Sequence, residues 1–181
     1  MEGVAKLFWV FAICMLVMAQ LITAAEESRG KELINKVCEK SEIKDLCIEV
    51  LSSDPVRSPN ANLKDLAIVS LKVAANNASS ILSDAKMLID DDNLDPDVQQ
   101  GLADCKENIL DAGSQLEDSI AALLVGSHAD AKVWLKAALA AITTCDDSIP
   151  GDDDILSVKS HVFRKLCNIA VEINSLMAKS S

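Results

Sequence analysis

The chain contains no tyrosine, and across 181 residues it has only 6 glycines and 4 prolines. That scarcity argues against a sandwich of short strands joined by frequent turns, and for helices. The vocabulary of catalysis and metal binding is equally thin. The only histidines are His128 and His161, and no Cys-x-x-Cys pair occurs, so a zinc site is disfavoured. The acidic runs Asp90–Asp92 and Asp152–Asp154 lack the spaced ligands and central glycine of an EF-hand loop, and read as solvated helix ends. No metal or cofactor is expected. No internal repeat or low-complexity tract is present.

Long uncharged runs are also lacking, with one exception. From Leu7 to Ile22 the chain carries no charge, with Lys6 before it and Thr23, Ala24 and Ala25 behind. A basic start, an apolar middle and small residues in that order are the pattern of a secretory signal peptide. The run is short for a span needing about 20 residues, and no basic cluster follows it. Cleavage is expected after Ala25, making residues 1–25 a signal peptide and residues 26–181 the mature domain. No later segment reads as long and apolar enough to span a bilayer, which places the product outside the cytosol in an oxidising compartment.

Removing the leader takes away one base, Lys6, and one acid, Glu2, so the net charge stays at −11. Such a field repels nucleic acid and anionic membranes and favours a cationic partner. The mature length suits one domain with one core.

Apolar residues recur at helical spacing in four long stretches. In the first, Leu63, Leu66, Ser70, Val73, Ala74, Asn77, Ile81, Ala85 and Leu88 form one stripe. In the second, Leu102, Cys105, Ile109, Ala112, Leu116, Ile120 and Leu123 keep close to the 3.5 spacing of a bundle seam. A third runs from about Ala129 to Cys145, and a fourth from about Asp154 to Ala178 with Val158, Val162, Leu166, Ile169, Ile173 and Met177 inward. The breaks fall at Asp54-Pro55, Asp95-Pro96, Val125-Gly126-Ser127 and Pro150-Gly151. Asp95-Pro96 has the chemistry of a helix start, an acidic cap followed by a proline whose missing N–H costs little. The fold class is all-α, with these four helices as the body of a bundle preceded by a helical region.

Of the 6 cysteines, Cys14 lies in the leader, leaving Cys38, Cys47, Cys105, Cys145 and Cys167. On one continuous helix the Cα atoms of Cys38 and Cys47 would stand about 13.5 Å apart, whereas a disulfide needs roughly 4.4–6.8 Å. If they pair, the chain must reverse between them, at Lys40-Ser41-Glu42, with Ser41 capping the next helix. Cys105 lies near the start of the second bundle helix and Cys145 near the end of the third, as neighbours on antiparallel helices require. Five cysteines allow many pairings, and these two are the ones favoured.

At these residues the chain resembles the plant invertase/pectin methylesterase inhibitor family. "LINKVCEKSEIKDLCIEVLSSDPVRS" is similar to the family's opening, two cysteines with eight residues between them followed by Ser-Asp-Pro. "GLADCKENILDAGSQLEDSIAAL", "VWLKAALAAITTCDDSI" and "VFRKLCNIAVEINSLM" resemble its later segments in order, including the unpaired last cysteine. The resemblance implies an up-down four-helix bundle preceded by an N-terminal helical hairpin, disulfides Cys38–Cys47 and Cys105–Cys145, and a free thiol at Cys167. It also implies a secreted protein inhibitor that is not itself an enzyme, a monomer binding a pectin methylesterase or an acid invertase one to one. The apoplast and cell wall are its expected location, or the vacuole for an invertase inhibitor. Glu107, Asp111, Thr144 and Asp147 match the polar positions that family members present to their partner.

The family's invertase inhibitors present Pro-Lys-Phe early in the third helix region. Here Asp130-Ala131-Lys132-Val133-Trp134 stands there instead, which favours pectin methylesterase. Lys136 and Ala140-Ala141-Ile142 depart from that branch's pattern. Trp134 is expected to serve packing. Cys167 has only His161 nearby in sequence, on a different side of the same helix, and reads as a buried spare thiol rather than a nucleophile. Asn77-Ala78-Ser79 is the single N-glycosylation sequon, with Asn77 close to an apolar stripe. A function of another class is a secreted helical carrier of lipid, whose ligand would enter the bundle core.

Overall fold

The computed structural model describes residues 29–151 and 156–180, together with the isolated leader positions 9, 13, 15, 16 and 18. The leader's cleavage point and the acidic run Asp152–Asp154 lie outside the described residues. The five described leader positions are helical and exposed.

Beyond the leader positions, six helices account for the described regular structure, apart from one 3-10 turn at Ser58–Asn60. Helix α1 covers residues 29–38 and α2 covers Lys44–Leu51, and together they form the N-terminal hairpin. Helices α3 (Leu63–Ile89), α4 (Pro96–Leu124), α5 (His128–Ser148) and α6 (Ser157–Ser180) form the bundle. Each of α3 and α5 packs beside both α4 and α6, so α4 and α6 stand diagonally across the bundle. This is the up-down four-helix arrangement that the resemblance implies.

Local chemistry explains the boundaries. Asp95 caps α4 through its carboxylate, which accepts the Asp97 amide at 2.8 Å, with Pro96 at the first helical position. Asn62 and Asp65 close α3 with a reciprocal capping box. The connections into α5 and α6 use Gly126 and Gly151 at φ 79° and 116°, a backbone region that disfavours side chains. After α2, the Asp54 carboxylate accepts the amides of Val56 and Arg57 at 3.0 and 2.9 Å, which accounts for the Asp of the Ser-Asp-Pro segment. The Arg57 amide, above all, holds the Asp54 carboxyl below the ordinary carboxylate range. A lowered value of this kind means the turn keeps its support in mild acid and loses it only as pH falls through that value.

The hairpin differs from expectation in one cap. Helix α2 begins after Ile43 with no side-chain cap, and the Ser41 hydroxyl is buried without a partner instead of capping the helix. The Cys38–Cys47 disulfide forms with Cα atoms 5.7 Å apart, so the reversal itself is as expected. Where α1 crosses the 58–60 turn there is no room for a side chain, since a Cβ on Gly30 would meet the carbonyl oxygens of Ser58 and Pro59. Because backbone cannot swing aside, Gly30→Ala is expected to cost about 1–3 kcal/mol. A thermal unfolding midpoint equal to that of the native chain would show that the hairpin shifts freely.

The seam of α4 follows its heptad pattern: Leu102, Cys105, Ile109, Ala112, Leu116 and Leu123 are buried, and Ile120 is half-buried. Helix α3 buries more than its stripe. The whole run Leu66–Leu71 is inaccessible, because α2 and the 58–60 turn pack on the side of α3 that the bundle leaves open. This run also makes α3 long and apolar enough by composition to cross a membrane, contrary to the expectation for segments after the leader. Half of that window is buried inside the bundle, as in a core helix.

Helix α6 keeps its expected stripe from Val162 onward and buries a broader face than that stripe. Val158 is 75% exposed rather than inward, while Ser160, Phe163, Cys167, Ala170 and Asn174 join Leu166, Ile169, Ile173 and Met177 inside. Polar ties hold α6 in this position. The Ser70 hydroxyl donates to the Leu166 carbonyl at 3.0 Å, Lys159 pairs with Asp84, and Arg164 pairs with Asp146. The Asn174 amide donates to the His128 carbonyl at 3.0 Å, and its oxygen lies 3.1 Å from His128 Nδ1.

Cys167 is buried and unpaired, and burial pushes its thiol up to about 12. A raised value keeps the sulfur protonated, and it is the thiolate that reacts. The native protein at mildly alkaline pH is therefore expected to resist thiol reagents and to yield one equivalent after denaturation. Rapid modification without unfolding would contradict this burial.

Candidate partner-binding face

The Cys105–Cys145 disulfide holds α4 and α5 with their Cα atoms 3.9 Å apart. Small residues permit this approach. A Cβ on Gly101 would meet the Ser148 carbonyl oxygen and the Ile149 Cα, the latter at 3.0 Å. With Gly101 against Ser148 and Cys105 against Cys145, helical geometry defines the surface beside the seam. On α4 it carries Asp104, Asn108, Asp111 and Gln115, and on α5 Ala137, Ala141 and Thr144, with Val133 and Trp134 at the far end.

Three of these polar groups are already ordered by neighbours. Gln100 donates to the Asp104 carboxylate at 2.9 Å, and the Asn108 amide donates to the Asp104 carbonyl at 2.9 Å. The Thr144 hydroxyl donates to the Ala140 carbonyl at 3.1 Å, leaving its oxygen to accept. A face held this way loses little side-chain freedom on docking.

The four residues expected to touch a partner divide into two pairs. Asp111 and Thr144 flank the α4–α5 seam and are exposed. Glu107 and Asp147 each lie two residues beyond a bridging cysteine, about 200° around the helix, on the outward crests of α4 and α5. Glu107 stands 3.3 Å from Lys106. No hydrogen bond or ion pair joins any two of the four. Asp146, beside Asp147, is held by Arg164 of α6 and serves the bundle instead.

Trp134 departs from the packing role expected for it. It is 37% exposed, beside Val133 at 60%, so an aromatic edge lies at one end of the acidic face. The expected stripe did not show this, because helical spacing alone places Trp134 on the same side as Cys145. Asn77 sits in the middle of α3, half-buried, with its amide oxygen shielded and unpartnered.

Charge is sorted between opposite corners. Helix α4 carries six acidic residues against one lysine, whereas α6 carries four lysines and arginines against one glutamate. Two of the α6 cations are tied to α3 and α5. The free acidic field therefore concentrates over α4. Among the described residues no cluster of three or more His, Cys, Asp or Glu side chains is placed to hold a metal ion.

Comparison with known proteins gives the same outline. The family model described as "Plant invertase/pectin methylesterase inhibitor" matches residues 32–173. A "Pectinesterase inhibitor" of Actinidia deliciosa is 27% identical, aligned over 97% of this chain and 96% of that one. A "Putative invertase inhibitor" of Platanus acerifolia is 28% identical over 82% of each. The crystal structure of a mutant form of a pectin methylesterase inhibitor from Arabidopsis superposes with a TM-score of 0.66 at 24% identity, covering 78% of this chain and 95% of that one.

Proposed function

The chain belongs to the plant invertase/pectin methylesterase inhibitor family, and from that premise we propose that it is a secreted inhibitor of a pectin methylesterase. The observation that carries this reading is the rigid acidic face of α4 and α5, cross-linked by Cys105–Cys145 and free of the cationic ties that occupy α6. Carboxylates held beside a covalent staple are pre-organised to meet a basic enzyme surface. Asp111 and Thr144 form the centre of the docking surface, with Trp134 at one end and Glu107 and Asp147 on its rim. The complex is one to one and covers the enzyme's active-site cleft. Residues 1–25 direct export and are removed, and residues 26–181 act in the cell wall.

The near full-length alignment with the Actinidia pectinesterase inhibitor supports this target. The Platanus relatives, at 28% and 30% identity, support acid invertase as the second reading. Parallel assays against both enzymes, at a pH of about 5 where most exposed carboxylates are ionised, distinguish the two. Pectin methylesterase is expected to lose its activity near equimolar inhibitor, with invertase unaffected. Loss of invertase activity alone would move the target, and failure against both would sink the inhibitory reading.

A further inference from the structure

We propose that the groove between α1 and the C-terminal half of α6 binds a single-chain anionic amphiphile, a long-chain fatty-acid carboxylate. The groove has a volume of about 680 Å³, inside the range of roughly 300–1,000 Å³ found for small-molecule sites. It lies outside the four-helix core, on the hairpin side of the bundle. A carrier function on this site is distinct from enzyme inhibition through α4 and α5.

Two helical stripes face each other across it. On the hairpin, Leu33, Lys36, Val37 and Lys40 recur at steps of three and four, with Lys40 just past the end of α1. On α6, Glu172, Ser175, Leu176 and Lys179 recur in the same way. Leu63 and Val171 complete an apolar floor between them. Apolar surface of this kind takes an alkyl chain, each buried methylene contributing about 0.8 kcal/mol.

Charge selects the head group. Lys36, Lys40 and Lys179 all line this one groove in a chain of net charge −11, and among the described residues none of the three is in an ion pair. Glu39 and Glu172 also line it, so the lysines leave one net positive charge. An alkyl chain on the floor with its carboxylate among the three ammonium groups satisfies both parts of the lining. A cationic amphiphile would satisfy the floor and be repelled at the rim.

Titration calorimetry on the secreted, disulfide-bonded protein with dodecanoate below its micelle concentration, near neutral pH, tests this. One saturable site is expected. Dodecyltrimethylammonium should bind about tenfold more weakly, and so should dodecanoate to the Lys36→Gln/Lys40→Gln/Lys179→Gln variant, a factor set by up to three exposed charge pairs. All three lysines are exposed, so the variant should keep the native unfolding midpoint. No saturable binding, equal binding of the two amphiphiles, or unchanged affinity in the folded variant would each overturn the proposal. Inhibition of pectin methylesterase by the same variant should be unaltered, so that the two functions fail separately.

Discussion

Replacing Cys105 and Cys145 together by alanine is expected to cost ~4 kcal/mol of stability, against ~2.7 kcal/mol for the Cys38/Cys47 pair, from the closure entropy of the two loops. The partners are 40 residues apart in the first case and 9 in the second, so the first cross-link removes more freedom from the unfolded chain. Both bridges are fully buried, and packing losses add to each. Urea unfolding of the two double variants checks the order. A greater loss from the hairpin pair would show that the denatured chain is already closed around the longer loop. The functional result follows from position. Without the bridge the α4–α5 seam is no longer held to a single register, and inhibition should weaken at temperatures where the variant is still folded.

Trp134→Ala is expected to raise the inhibition constant for pectin methylesterase about 30-fold, the effect of losing an interface anchor of about 2 kcal/mol. Trp134 is large, 37% exposed and next to the exposed Val133, at the end of a face whose other members are carboxylates, amides and small residues. An aromatic side chain there buries apolar area on docking with few rotors to freeze. Trp134→Phe should retain most of the affinity, which separates loss of contact from loss of shape. Circular dichroism at the assay temperature must show both variants folded, since part of the indole is buried. An unchanged inhibition constant for folded Trp134→Ala would remove it from the interface. Charge reversal at Asp111 should then matter more than at Glu107 or Asp147, because seam positions are desolvated more than crests.

Much of this architecture is written in local chemistry. The Asp95-Pro96 start, the glycine turns at 126 and 151 and the heptad of α4 each depend on residues within a turn of one another, and all appear where the pattern puts them. The cysteine positions likewise required a reversal after Cys38 and antiparallel neighbours at Cys105 and Cys145. The acidic character of the second bundle helix could be read from its letters alone.

Other features depended on which elements meet. A periodic stripe identifies one buried face, but Leu66–Leu71 is buried all round because the hairpin covers the side of α3 that the bundle leaves open. Helix α6 exposes Val158 and buries Phe163, Cys167 and Asn174 beside its expected stripe, where ties to Ser70, Asp84, Asp146 and His128 hold it. Trp134 shares a side with Cys145 on the helix and still reaches solvent. The groove that gathers Lys36, Lys40 and Lys179 joins residues more than a hundred positions apart. Sequence determined the helices, their ends and their charge, since those follow from neighbours along the chain. Tertiary structure decided which face of each helix is covered and which charges remain free, since those depend on neighbours in space.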